Sequence, residues 1–96
     1  MKKASEYKEL TNNKSLFYTL QYEETHPVIM RKIEEAIMDA VSHGLYFTSL
    51  DMVMMSAYDV KMINKVLQHY GFTSDWFGTG DTDEFYKNAT LTIHWA

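Results

Sequence analysis

Four histidines, three closely spaced carboxylates and one glycine pair are the residues of this chain that could do chemistry. A zinc-binding helix needs two histidines four residues apart, because one turn then carries both imidazoles to one ion. His26, His43, His69 and His94 lack that spacing, and no cysteine is present to supply a thiolate. Gly78-Thr79-Gly80-Asp81 has the glycines of a phosphate-cradling loop. Such a loop joins a strand to a helix, however, and this one falls between two candidate strands. Asp81, Asp83 and Glu84 lack the Asp-x-Asp-x-Asp-Gly framework of a calcium loop, so Gly78 to Asp83 reads as a turn. No serine lies in a nucleophile elbow, and no carboxylate pair is spaced for acid–base work. Asp51 and Asp59 flank the helix start near Ser56 and would repel an anion there. The expectation is a non-enzymatic protein, with no catalytic residue, no metal and no cofactor.

Composition narrows the class further. The 96 residues suit one domain, 46% of them apolar and 15% aromatic, which is too much core material for a disordered chain. Without cysteine there is no disulfide framework, so the fold must stand on packing, as suits a reducing cytoplasm. Lys2 and Lys3 are not followed by the apolar run of a signal peptide, and no stretch has the length of an apolar membrane span. A cytoplasmic protein with no membrane partner is expected. Without a secretory signal, the sequon Asn88-Ala89-Thr90 carries no meaning. The net charge of −4 disfavours nucleic acid, whose phosphates are neutralised by lysine and arginine. From Gly71 onward four acids face one base, an imbalance suited to a basic partner or simply to a solvated loop.

The elements that must position these residues follow from periodicity. A helix is expected from Pro27, with Ile29, Ile33, Ala36, Ile37, Ala40 and Val41 on one stripe and Gly44 as its stop. Leu45 to Leu50 reads as a strand. A second helix starts near Ser56, where Ser56 and Asp59 form a capping box, and ends at Gly71 with Val60, Ile63, Val66, Leu67 and Tyr70 on its apolar side. His43-Gly44 and His69-Tyr70-Gly71 both lead into an aromatic segment, so one helix-to-strand turn is expected twice, each histidine near the carbonyl end of its helix. Phe72 to Phe77 and Ala89 to Trp95 form a C-terminal hairpin. In its second strand Leu91, Ile93 and Trp95 alternate with Thr90, Thr92 and His94, the mark of one buried face. Residues 1–26 are an N-terminal arm, partly helical or flexible, in which Leu10, Leu16, Phe17 and Leu20 would line a helix broken at Asn12-Asn13. Residues 27–96 are the compact domain. The fold class is α/β (α+β), two or three helices packed on one face of a small three-stranded sheet.

Two features suggest contact with another protein. Met52-Val53-Met54-Met55 follows the first strand, and methionine adapts to irregular surfaces. These residues either begin the second helix early and fill the core or form a self-association or docking surface; four in a row cannot all face one core. Aromatics also crowd the C-terminal third, and most can be absorbed by packing. Trp76 and Phe77, beside the turn, remain as anchors for a partner. The interface candidates are therefore Met52, Met54, Met55, Trp76 and Phe77.

The order of helix, His43-Gly44, strand, helix, Tyr70-Gly71-Phe72 and closing Leu91-Thr92-Ile93-His94-Trp95 resembles many small uncharacterised proteins of tailed bacteriophages, which end in an Ile-Ser-Trp type of strand. The resemblance spans Val28 to Ala96; His94 and the N-terminal arm depart from it. It implies a viral accessory role, in which the protein docks on and modulates a host or viral protein as an inhibitor or anti-defence factor. Two alternatives stand beside this one. One is a homo-oligomeric structural or virion-associated protein, and the other an oligomeric sponge for a small nucleotide.

Overall fold

The alternating segment near the C-terminus becomes the middle of the sheet. The structure, a computed structural model, describes residues 1–79 and 85–96. In chain order it comprises α1 (Ala4–Thr25), α2 (Pro27–Ser42), β1 (Phe47–Ser56), α3 (Ala57–His69), β2 (Thr73–Thr79) and β3 (Phe85–His94). β3 lies between β1 and β2 and is antiparallel to both. Leu91 and Ile93 are fully buried, with Leu50 and Trp76 flanking Leu91 and Thr48 and Ser74 flanking Ile93. α2 and α3 cover this inner face with Met30, Ile33, Met62, Ile63, Val66 and Leu67. The expected α+β class, with a three-stranded sheet and helices on one side, is what the chain forms. The expected turn from Gly78 to Asp83 lies largely outside the described residues, as do Asp81, Asp83 and Glu84.

The two helix stops use the same device. Gly44 and Gly71 have φ of +71° and +88°, the left-handed conformation that glycine adopts without a Cβ penalty. Leu45 N–H donates to Ala40 O at 3.0 Å and Gly44 N–H to Val41 O at 3.0 Å. In α3 the equivalent bonds run from Phe72 to Leu67 at 2.9 Å and from Gly71 to Gln68 at 3.0 Å. Each turn satisfies otherwise orphaned carbonyls and aims the chain back at the sheet. The start of α3 is equally explicit: Ser56 Oγ accepts from Asp59 N–H at 3.0 Å, while Asp59 Oδ2 accepts from Ser56 N–H at 3.1 Å.

β1 and α1 differ from the sequence expectation. β1 runs to Ser56 instead of stopping at Leu50, so the methionine run is strand and not the start of the second helix. Within it Met54 has a φ of +59°. That left-handed residue shifts the phase of side-chain alternation, burying Met52 and Met55, three apart, and exposing Val53 and Met54. α1 is continuous through Asn12-Asn13. Its expected apolar lining is also displaced. Leu10, Leu16, Phe17 and Leu20 are all exposed, and the buried residues are Thr19 and Tyr22. α1 rests on α3 through polar groups: Lys65 donates to Ser15 Oγ at 3.2 Å and Tyr22 to Asp59 Oδ1 at 2.9 Å.

A left-handed backbone is costly for side chains with a Cβ and worst for β-branched ones. Met54→Val is expected to destabilise the fold by about 1–2 kcal/mol. Met54→Gly should stay within about 0.5 kcal/mol of wild type, since relief at φ +59° offsets glycine's larger unfolded-state entropy. Urea denaturation midpoints of the two variants measure both.

Candidate interaction surfaces

The sheet has two faces and helices for only one. On the open face, β3 contributes Asn88, Thr90, Thr92 and His94, β1 contributes Phe47, Ser49, Asp51 and Val53, and β2 contributes Thr73, Asp75 and Phe77. Phe77 is 74% exposed, Val53 57% and Phe47 48%. A shallow depression of about 430 Å³ runs between Val53, Phe77, Asn88 and Thr90. Ser49 and Thr92 hydroxyls hydrogen-bond across the strands at 3.0 Å, and the Phe47 ring stacks on His94 with centroids 6.0 Å apart. Asp51 and Asp75 give this face its charge; no lysine or arginine lies among its described residues. At the β1 edge, Lys32 of α2 donates its ammonium to the Asp51 carbonyl oxygen, occupying a backbone acceptor that a further strand would need.

The five sequence candidates separate between the two faces. Met52 and Met55 are 2% and 8% exposed and belong to the core, so neither is a contact in the folded chain. Trp76 points inward, packs against the core and donates its indole N–H to Asn64 Oδ1 at 2.7 Å, where Ser74 also donates at 2.7 Å. Phe77, the next residue along β2, therefore points outward, because neighbours on a strand face opposite ways. Met54 is 61% exposed. Met54 and Phe77 are accessible, and Val53 and Phe47 join them. Extending the period-two pattern back from Val53 through Asp51 and Ser49 to Phe47 is the signal that could have found these two.

A second apolar concavity of about 570 Å³ lies between α2 and α3, floored by Met30, Ile33, Val66, Leu67 and Phe72. Glu23 and Glu34 edge it, and Tyr70 donates its hydroxyl to Glu23 Oε1 at 2.7 Å. That hydrogen bond to a carboxylate raises the Tyr70 phenol above its ordinary pKa. With two carboxylates and no cation along its lining, this groove is ill suited to the phosphates of a nucleotide.

The histidines serve local structure. His43 closes α2, its Nδ1 2.8 Å from the Asp39 carbonyl oxygen. His69 ends α3 with its ring edge-on to Tyr70. His26 sits in the α1–α2 corner, Nδ1 2.9 Å from the Tyr22 carbonyl oxygen, and its ring stacks on that of Tyr22 at 3.8 Å. Among the described residues, no three histidine or carboxylate side chains are grouped so as to hold a metal.

Beside that corner Asp59 accepts three side-chain or backbone donors: Tyr22 hydroxyl at 2.9 Å, Ser56 hydroxyl at 2.8 Å and Ser56 N–H at 3.1 Å. Burial pushes its carboxyl pKa up, but the hydrogen bonds from Ser56 and Tyr22 outweigh it and hold the pKa below the ordinary 3.8. Burial, then the bond to Asp59, raises the Tyr22 phenol above its usual range. Every polar atom of the cluster is committed to another, so it offers neither a free base nor a free nucleophile. It joins α1 to the start of α3, a role for Tyr22 that apolar periodicity could not reveal.

Because Asp59 has a lower pKa folded than unfolded, its stabilising effect is complete above pH 3.8 and is lost as pH falls through the folded value. Tyr22→Phe should cost about 1.5–3 kcal/mol at neutral pH, the worth of a hydrogen bond to a charged acceptor. It should also flatten the loss of stability below pH 3.8, as followed by thermal unfolding across that range.

Comparisons with protein-family models, with curated proteins and with solved structures found no match, so function has to be sought in the surfaces themselves.

Proposed function

We propose that the protein is a non-enzymatic docking module that uses the open face of its sheet to bind another protein. The observation that supports this is the uncovered face itself: Phe77, Val53 and Phe47 stand in water on a rigid sheet, framed by hydroxyls and by Asp51 and Asp75. Large exposed rings on a flat, preordered surface are what protein contacts use, since ordering them costs little entropy on binding. The absence of lysine and arginine among the described residues of this face, with the net charge of −4, suits a partner that brings cationic groups around an apolar centre. In the accessory role that the phage resemblance implies, the partner is a host or viral protein in the host cytoplasm, and docking modulates its activity. No helix among the described residues is long and apolar enough to cross a membrane.

Phe77 is the residue to test, and Trp76 is not. Trp76→Ala removes a packed indole and its bond to Asn64, so loss of binding there would report on folding. Phe77→Ala changes a side chain 74% exposed and should leave the circular dichroism spectrum and melting temperature unchanged. In capture from host lysate, the wild-type protein is expected to retain one protein at fixed stoichiometry, less tightly as salt rises. Phe77→Ala should lose that protein; equal retention by the variant would remove the open face from consideration.

A further inference from the structure

Three large apolar residues of α1, a helix with little apolar sidedness overall, are turned away from the protein's own core. Leu10, Phe17 and Leu20 are 48%, 57% and 40% exposed, on the side of the helix opposite Ser15, Thr19 and Tyr22. Residues 1–14 are exposed throughout, and the first half-buried residue is Ser15. The opening turns of α1 thus project from the body. The radius of gyration is 15.3 Å, where a compact chain of this length has about 12.5 Å, and the longest dimension is 52 Å. A bare helical segment of about ten residues is marginal in water, so a stable α1 calls for something to rest against.

Its charges state what kind of surface that is. Lys2 and Lys3 precede the first turn, which itself carries Glu6, and Glu23 and Glu24 stand at the negative end with no basic residue in the last turn. The carboxylates of the last turn oppose the dipole. A second α1 running antiparallel cancels the conflict, because each lysine end then lies beside a glutamate end. About a midpoint between Asn13 and Lys14, Lys3 is level with Glu24 of the partner subunit. The same register sets Leu10 level with Phe17 of the partner subunit. A parallel pair would instead bring like charges together at both ends. This side of α1 is therefore complementary to itself under a two-fold axis, the condition for a closed dimer.

We infer that the protein forms a homodimer through antiparallel pairing of α1 along Leu10, Phe17 and Leu20, centred between Asn13 and Lys14. This surface is separate from the open sheet face, so either can fail without the other.

Sedimentation of the full chain at about 50 µM is expected to give twice the 11.3 kDa chain mass, and Phe17→Glu half of that. Lys3→Glu and Glu24→Lys should each weaken the dimer about two- to fivefold, and their combination should restore it, since the pair is rebuilt with signs exchanged. The natural chain has no cysteine, so a single introduced thiol reports register directly. Asn13→Cys should form a disulfide-linked dimer on mild oxidation while Glu6→Cys does not, because only position 13 lies at the axis. A monomeric wild-type chain overturns the inference, as does a dimer untouched by Phe17→Glu. Crosslinking at both cysteine positions would show a parallel pair and overturn the antiparallel register. A dimer dispersed by Phe77→Ala but not by Phe17→Glu would move self-association to the sheet face.

Discussion

Everything in this molecule depends on the burial of one side of a single strand. β3 carries Ala89, Leu91 and Ile93 inward and has a neighbour on each edge, so its register sets which residues of β1 and β2 can enter the core. Leu50 and Met52 on one side and Trp76 on the other are inward because they lie level with those three. The two helices that cover them are closed by identical glycine turns, which return the chain to the sheet without leaving carbonyls unpaired. α2 and α3 cover this one face, while α1, the longest helix, rests on α3, and the other face of the sheet stays open.

Two departures from regularity shape the surfaces. Met54 takes a left-handed conformation inside a ten-residue strand and so lets Met52 and Met55 both reach the core. Without that change of phase Met54 would be buried beside Met52, and Met55 would be outside. α1 makes the other departure by meeting α3 with hydroxyls, a lysine and a tyrosine. Its leucines and phenylalanine stay in water. A helix normally spends its apolar stripe on its own core. Here the intramolecular seam is the buried Tyr22 ring together with polar bonds at Asp59 and Ser15, and the leucines and phenylalanine are left exposed.

These surfaces differ in character. The sheet face is flat, acidic and anchored by Phe77; the exposed side of α1 is narrow, charge-balanced and self-complementary. The groove between α2 and α3 is apolar with a carboxylate edge. None presents the converging polar groups that hold a small substrate in a reactive pose. Contact between proteins is the function proposed for them.

Much of this was legible in the residues. Gly44 and Gly71 as stops, Ser56 and Asp59 as a cap, Pro27 in a first turn and the alternation of Leu91 and Ile93 are local signals, each acting within a few residues of itself. The α+β class follows from them. Strand order, with β3 between β1 and β2, was decided by long-range pairing that leaves no local mark. So were the fate of the methionines and the direction of α1. Composition could say that four apolar residues from Met52 to Met55 cannot share one face, but not which two would be buried; a backbone torsion at Met54 settled that. In α1 the apolar residues were visible and their destination was not, because periodicity shows that a helix has a stripe and only packing shows which side meets the core. Tyr22 and Ser15 took that side through hydrogen bonds to residues 37 and 50 positions away, and those bonds exist only once the chain has folded.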